Sequence, residues 1–166
     1  MGYRNKTYVI FDADKDMWAY SYMKGWKTNK NVDFDFHDAH DLNPLTNRAG
    51  EETVKSRLRE RFSKTKHAIV LIGESTKNLY RFVRWELQVA LKLEIPLVAV
   101  NLNHFRKIDQ DRCPLVIKDT TTVHVPFKLK IIRHALDNFP ADYRAKKKEG
   151  EVNLYYPNSV YESLGL

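Results

Sequence analysis

Residues 67–73 read His-Ala-Ile-Val-Leu-Ile-Gly, and residues 96–101 read Pro-Leu-Val-Ala-Val-Asn. Each is an apolar run that a turn-forming residue ends, a pattern typical of parallel strands buried on both faces. The segment between them places several apolar side chains and one charge on or near a single helical stripe: Phe82, Glu86, Val89, Ala90 and Leu93. Strand, helix and strand over about 34 residues predict a βαβ unit.

The chain before this unit continues the alternation of strands and helices. Residues 7–11 are β-branched and aromatic, which predicts a first strand, and residues 16–24 predict a helix that closes at Gly25. Residues 32–37 alternate apolar and acidic side chains, which predicts a strand exposed on one face and at or near an edge. From Glu51 onwards, apolar residues recur every four positions among charges, as in an amphipathic helix.

The chain after the unit predicts one more strand and one more helix. An irregular stretch over residues 102–118 precedes a strand at 121–125, and Pro126 is expected to open a helix. We therefore expect a doubly wound, mostly parallel five-stranded α/β sheet with helices on both faces. All 166 residues are expected to form one domain, with a core over about residues 5–140 and a tail over 141–166 packed against it.

Composition excludes several classes of protein. Cys113 is the only cysteine, so no intramolecular disulfide, thiolate zinc cluster or iron–sulfur site can form within the chain. No signal peptide or membrane-spanning run is visible, which indicates a cytoplasmic protein without a membrane partner. The net charge of +7 arises entirely after residue 50, in patches typical of solvated helix faces. An anionic ligand is compatible with this charge, but we do not expect a nucleic-acid partner.

Ligands of doubly wound sheets bind at the carboxyl ends of the strands, which selects the loops at residues 11–16, 37–41 and 73–78. The scattered glycines form neither a dinucleotide-binding fingerprint nor a P-loop. Residues 12–16 resemble the start of a calcium-binding EF-hand, but Met17 replaces the required glycine and excludes that mode. Residues 37–41 contain two histidines and two aspartates, which are more typical of loop caps than of a metal site, so no metal is expected.

Glu86 is the unusual residue of the apolar stripe. A glutamate buried without a partner is costly, so Glu86 should either pair with a base such as Arg81 or Arg84, or face a cleft. From the residues alone, an ordinary salt-bridged carboxylate remains the simpler interpretation.

The other polar and aromatic candidates also have structural alternatives. Phe11 and Trp18 could belong to the core, and Asp12 and Asp14 could cap the helix that follows them.

Four segments together resemble the TIR-like domain of ThsB proteins of Thoeris anti-phage defence. They are Val-Ile-Phe-Asp-Ala-Asp-Lys-Asp at 9–16, Phe-Asp-Phe-His-Asp at 34–38, Ile-Val-Leu-Ile-Gly-Glu-Ser-Thr at 69–76, and Phe-Val-Arg-Trp-Glu-Leu at 82–87, and Ile-Pro-Leu follows at 95–97. The resemblance covers residues 5–103, and more loosely the rest of the chain. It implies a flavodoxin-like TIR fold.

The resemblance also implies an NAD glycohydrolase or ADP-ribosyl cyclase type of enzyme. Such an enzyme cleaves the nicotinamide–ribose bond of NAD, which is its substrate and not a cofactor, and makes a cyclic or modified ADP-ribose messenger that activates an effector protein. Glu86 matches the essential glutamate of TIR enzymes. The residues expected to line the substrate cleft are Phe11, Asp12, Asp14, Asp38, Phe82 and Trp85.

The sequence departs from the family pattern one helical turn before Glu86. TIR enzymes usually carry tryptophan at the position of Phe82, and phenylalanine has no indole N–H to donate. This departure leaves a second hypothesis open, a non-catalytic TIR-like module that binds a nucleotide or a protein. The resemblance further leaves open a phage protein as trigger and assembly into homo-oligomers.

Overall fold

A computed structural model describes residues 7–30, 50–79 and 81–166 of the chain. The strands and helices in these ranges are β1 (Thr7–Ile10), α1 (Met17–Thr28), α2 (Glu51–Phe62), β2 (His67–Ile72), α3 (Phe82–Lys92), β3 (Leu97–Asn101), β4 (Thr122–Pro126), α4 (Leu129–Lys148) and α5 (Asn158–Ser163). Short 3₁₀ helices occur at Thr76–Asn78 and Leu115–Ile117.

The described strands form one parallel sheet with the order β1-β2-β3-β4. Every residue of β2 and β3 is buried, as the two apolar runs predict. Strands buried on both faces need a helical layer on each side. Four of the five predicted strands are thus present, and the predicted strand at 32–37 lies outside the described residues.

Helices cover both faces of the sheet. Side chains of β1, β2 and β3 that point one way pack with α1 and α4, in a core that includes Val9, Val98 and Phe139. The side chains that point the other way pack with α2 and α3, in a core that includes Ile10 and Leu87. The prediction of a doubly wound, mostly parallel α/β fold is confirmed.

The last residues of the chain contact the first of these cores. Tyr161 is fully buried there, and Leu154 and Leu166 pack against its edge. The backbone N–H of Leu154 donates to the carbonyl of Thr122, and that of His124 donates to the carbonyl of Leu154. The tail therefore lies along the free edge of β4. No described helix combines the length and the apolar character needed to cross a membrane.

Two predicted helix boundaries are wrong. Helix α1 does not close at Gly25 but continues to Thr28, because the carbonyl of Gly25 accepts bonds from the Thr28 hydroxyl and from the N–H of Asn29. Pro126 does not open a helix. It is the last residue of β4, where its missing N–H is tolerated, and α4 begins at Leu129 after an extended Lys128.

The buried face of α3 also differs from the predicted stripe. The buried residues of α3 are Val83, Trp85, Leu87, Val89 and Ala90. Leu93 of the predicted stripe is 41% exposed. The helix ends at Lys92 and Glu94 adopts a left-handed φ of 55°, so Leu93 lies beyond the last residue of the helix.

Gly73, which follows β2, allows a close approach of two loops. A Cβ atom at this position would collide with the carboxylate of Asp16, which is buried. We predict that Gly73→Ala lowers the free energy of unfolding by about 1–3 kcal/mol, the usual cost of overpacking. Urea unfolding followed by circular dichroism measures this.

Gly25→Ala is the matched control for Gly73→Ala. Its added Cβ meets nothing within 4 Å and lies inside α1, so we expect a gain of about 0.5–1 kcal/mol. Equal urea midpoints for Gly73→Ala and the wild type would contradict the prediction.

Candidate active site

Glu86 lies in the second turn of α3, on the side of the helix that faces β1. The residue as a whole is half-buried, but its carboxyl group has lost its water. Burial accordingly raises the pKa of Glu86 from its ordinary value of 4.5 to about 8. A hydrogen bond from the Tyr8 side chain acts in the opposite direction and lowers that pKa.

Tyr8 of β1 contacts both helices of this layer, α2 through its ring and α3 through its hydroxyl. Its ring packs against Phe62 of α2 with the centroids 4.6 Å apart, and its hydroxyl reaches Glu86 of α3. Burial has the largest effect on the pKa of Tyr8 and raises it, and the charge of Glu86 raises it further. The nearby cation of Arg61 has the opposite effect and lowers this pKa. Tyr8 therefore remains a neutral donor throughout the physiological range of pH.

The expected basic partners of Glu86 do not pair with it in the described structure. The guanidinium of Arg81 lies 5.8 Å from the ring centroid of Trp85, and Arg84 is exposed, on a different side of the helix from Glu86. Trp85 in turn meets Phe82 edge to face at 5.6 Å. Glu86 is thus a desolvated carboxyl with a tyrosine neighbour and without a salt bridge among these residues.

Phe82 lies between Glu86 and the level at which the parallel strands end. Helix α3 connects two parallel strands, so it runs antiparallel to them and begins near their carboxyl ends. One helical turn places Phe82 about 6 Å nearer to that level than Glu86. The Phe82 side chain is partly buried.

A second polar group occupies the carboxyl ends of β1 and β2. One carboxylate oxygen of Asp12 accepts hydrogen bonds from the backbone N–H groups of Asp14 and Lys15, with N···O distances of 3.0 and 3.3 Å. The other accepts the hydroxyl of Ser75 at 2.9 Å. Asp12 therefore closes its own loop and fastens it to the loop after β2.

Asp16 makes a second connection between the same loops. The Thr76 hydroxyl lies 3.4 Å from an Asp16 oxygen and accepts the N–H of Gly73 at 2.9 Å. Burial, followed by the charge of Asp12, raises the pKa of Asp16. The two loops form one hydrogen-bonded rim above the sheet.

Comparison with known families matches residues 8–107 to the family described as Thoeris protein ThsB, TIR-like domain. The chain belongs to this family. It is therefore a Thoeris-type signalling domain with the TIR-like form of the flavodoxin-like fold. TIR-like domains are related to NAD-cleaving enzymes, and Thoeris proteins act in defence signalling.

The residues predicted to form the site of this ThsB-family protein fall into separate places. Glu86, Phe82 and Trp85 share α3, whereas Asp12 lies at the rim. Asp12 follows Tyr8 by four positions and lies beyond the end of β1, up to about 13 Å away if the chain stays extended. Phe11 lies on the opposite face, where its ring stacks on Tyr20 at 4.6 Å.

Two further predicted residues contribute no described contact to Glu86. Asp14 is exposed, and its backbone N–H serves the Asp12 loop. Asp38 lies outside the described residues, as does the histidine–aspartate segment at 37–41. Trp18, the alternative core residue, is 49% exposed.

Sequence reasoning did not select Tyr8 or Ser75. Tyr8 is one of several residues in the first apolar run, and no spacing rule connects it to a helix almost eighty positions later. Alternation along β1 could have placed Tyr8 on one face with Ile10, but not opposite Glu86. Ser75 lies in a selected loop, so its pairing with Asp12 was open to prediction from the parallel sheet.

The raised pKa of Glu86 predicts a stability that depends on pH. Below pH 4.5 both the native and the unfolded state hold the proton; between 4.5 and about 8 only the native state keeps it, so stability falls as pH rises. Glu86→Gln removes this penalty. We expect a gain of about 1–3 kcal/mol at pH 8.5 and no gain at pH 4, measured by urea unfolding.

Glu60→Gln on the exposed side of α2 is the control for the loss of one carboxylate. It should change stability by less than about 0.5 kcal/mol at either pH. A Glu86→Gln protein that is less stable than the wild type at pH 8.5 would show that the carboxylate is paired after all.

Proposed function

We propose that this ThsB-family protein cleaves NAD at the nicotinamide–ribose bond, with Glu86 as the catalytic carboxylate. The observation that carries the proposal is the desolvated carboxyl of Glu86, which lacks a salt bridge among the described residues. A buried carboxyl without a salt bridge lowers the stability of the fold, which favours a functional reason for its presence. Carboxyl groups with strongly shifted pKa values are common at active sites. The match to a TIR-like family supports this class of reaction.

The chemistry needs an anion beside the ribose. Neutral nicotinamide leaves with the electron pair of the C–N bond, and positive charge develops on the ribose as an oxocarbenium-like centre. The Glu86 carboxylate stabilises that charge and can accept hydrogen bonds from ribose hydroxyls. Water, or a hydroxyl or ring nitrogen of the same molecule, then forms the new bond and loses its proton.

The neighbours of Glu86 suit this task. Phe82 and Trp85 offer aromatic surface for nicotinamide or adenine, and Tyr8 offers a hydroxyl that favours the ionised carboxylate. A positively charged nicotinamide ring near Glu86 would lower the pKa of the carboxyl further. Binding of the substrate would thus prepare the carboxylate for the bond-breaking step.

The product would be a cyclic or otherwise modified ADP-ribose that acts as a messenger to an effector protein. Attack from within the molecule gives a cyclic product, and attack by water gives ADP-ribose. A phage protein as trigger, self-association of the domain and a cytoplasmic location complete the proposal. The resemblance to ThsB proteins and the sequence support these three parts of the proposal, and no contact among the described residues bears on them.

A non-catalytic, nucleotide- or protein-binding module is the second candidate function. Phe82 favours it, because this side chain cannot donate the hydrogen bond of the usual tryptophan. The pKa of about 8 favours it as well, since most Glu86 side chains are then protonated at pH 7.

Glu86→Gln and Glu86→Ala should each reduce release of nicotinamide from NAD by about a hundredfold or more, because the developing charge loses its anion. Mass spectrometry of the products, with and without phage proteins, measures both turnover and product. Glu60→Gln should retain wild-type turnover. Wild-type turnover in Glu86→Ala would refute catalysis by Glu86, and binding of nucleotide without any nicotinamide release would favour the second candidate.

The pH profile of NAD cleavage tests the state of the carboxyl. Because the ionised form is required, kcat/KM should rise with pH to a plateau, with an apparent pKa of about 8 for the free enzyme. Tyr8→Phe removes the hydrogen bond that favours the carboxylate and should move this midpoint to higher pH. A midpoint that stays the same in Tyr8→Phe would mean that another group limits the rate.

A further inference from the structure

A cavity of about 410 Å³ lies on the flank of α3 that faces away from the Glu86–Tyr8 contact. One wall is α3 with the 3₁₀ helix before it, and the other is the segment around residues 110–118. Its apolar lining includes Leu79, Val83, Leu87 and Val116. This volume falls in the range of small-molecule sites.

Three cations surround the apolar lining: Lys77, Arg84 and Lys118. The ammonium of Lys77 donates to the carbonyl of Asp111, and that of Lys118 donates to the carbonyl of Gln110. These carbonyls belong to consecutive residues, so the two lysines converge on one side of the cavity. Each ammonium has three donors and keeps two of them for another acceptor.

Arg84 completes the group from the helix side. Its guanidinium offers a planar fork of donors that suits a carboxylate or phosphate. Among the described residues, none of the three cations forms an ion pair, and Asp111 is the one acid that lines the cavity. Two converging ammonium groups and an arginine therefore leave a positive field that an anion would neutralise.

We propose that this cavity binds a small organic anion, a phosphate or carboxylate attached to an aromatic or other apolar body. The apolar group would lie against Val83 and Leu87, and the anion would bridge Arg84 and the two lysines. Charge complementarity favours this class over a neutral apolar ligand. The site is separate from the Glu86 centre and does not depend on the proposed NAD cleavage.

Cys113 also lines the cavity, but binding through it would be non-covalent. Its thiol is buried, and burial raises its pKa to about 12, so the nucleophilic thiolate is scarce at neutral pH. Thiol reactivity is thus not part of the proposal.

The probe for the test is 1-naphthyl phosphate, and isothermal titration calorimetry of the full chain measures its binding. We expect saturable 1:1 binding. Arg84→Gln and Lys118→Gln should each weaken it by about tenfold, the value of one charge-assisted hydrogen bond. Arg57→Gln, on an exposed part of α2, removes the same charge elsewhere and should leave the affinity unchanged.

Two fragments of the probe separate the contribution of the anionic group to binding from that of the apolar ring. Inorganic phosphate and 1-naphthol should each bind at least tenfold more weakly than 1-naphthyl phosphate, because each lacks half of the recognised chemistry. Thermal unfolding of each variant checks that the fold is intact. Undetectable binding of 1-naphthyl phosphate at millimolar concentration, or equal affinity in wild type and the Arg84→Gln/Lys118→Gln double variant, would overturn the proposal.

Glu86→Gln distinguishes this site from the NAD centre. It should bind 1-naphthyl phosphate as the wild type does, whether or not the wild type cleaves NAD. Loss of 1-naphthyl phosphate binding in a folded Glu86→Gln protein would instead place the probe at the Glu86 centre and overturn the assignment to this cavity.

Discussion

Strands β2 and β3 expose no side chain on either face, and the remaining architecture follows from this burial. Because both faces must be covered, α1 and α4 form one layer while α2 and α3 form the other. The connection from β2 to β3 then has to place α3 against the sheet with its start near the carboxyl ends of the strands. Both candidate sites are built on the two sides of this one helix.

Glu86 conflicts with the layer in which it lies. Apolar neighbours on α3 pack against the sheet, while the carboxyl in their midst loses solvation and gains a tyrosine instead of a base. Because burial disfavours the ionised carboxylate, we expect the glutamate to be less compatible with this layer than a neutral side chain at alkaline pH. Local inconsistency of this kind is expected at functional positions, where stability and activity compete.

The strands and the layer arrangement could be predicted because burial leaves a direct record in sequence as unbroken apolar runs. The predicted helix boundaries were wrong where one residue type is compatible with two roles. Proline can begin a helix or end a strand, and Pro126 ends β4; glycine can follow a helix or lie within one, and Gly25 lies inside α1.

The site was predicted only in part. Glu86 is recognisable as the one charge on its helical stripe. The position of Tyr8 beside it depends on the pairing of β1 with β2. Sequence spacing contains no information about such contacts between distant segments.

The two cores differ in how much of the chain each requires. Among the described residues, the α2/α3 core draws on positions 8 to 117, whereas the α1/α4 core also needs Phe139, Tyr143 and Tyr161. During synthesis, the layer that holds Glu86 therefore has all its partners long before the opposite layer does. Until residue 161 has left the ribosome, the α1/α4 layer remains incomplete. The nascent chain therefore passes through a stage in which the α2/α3 layer is complete and part of the apolar surface of the α1/α4 layer is still exposed to solvent.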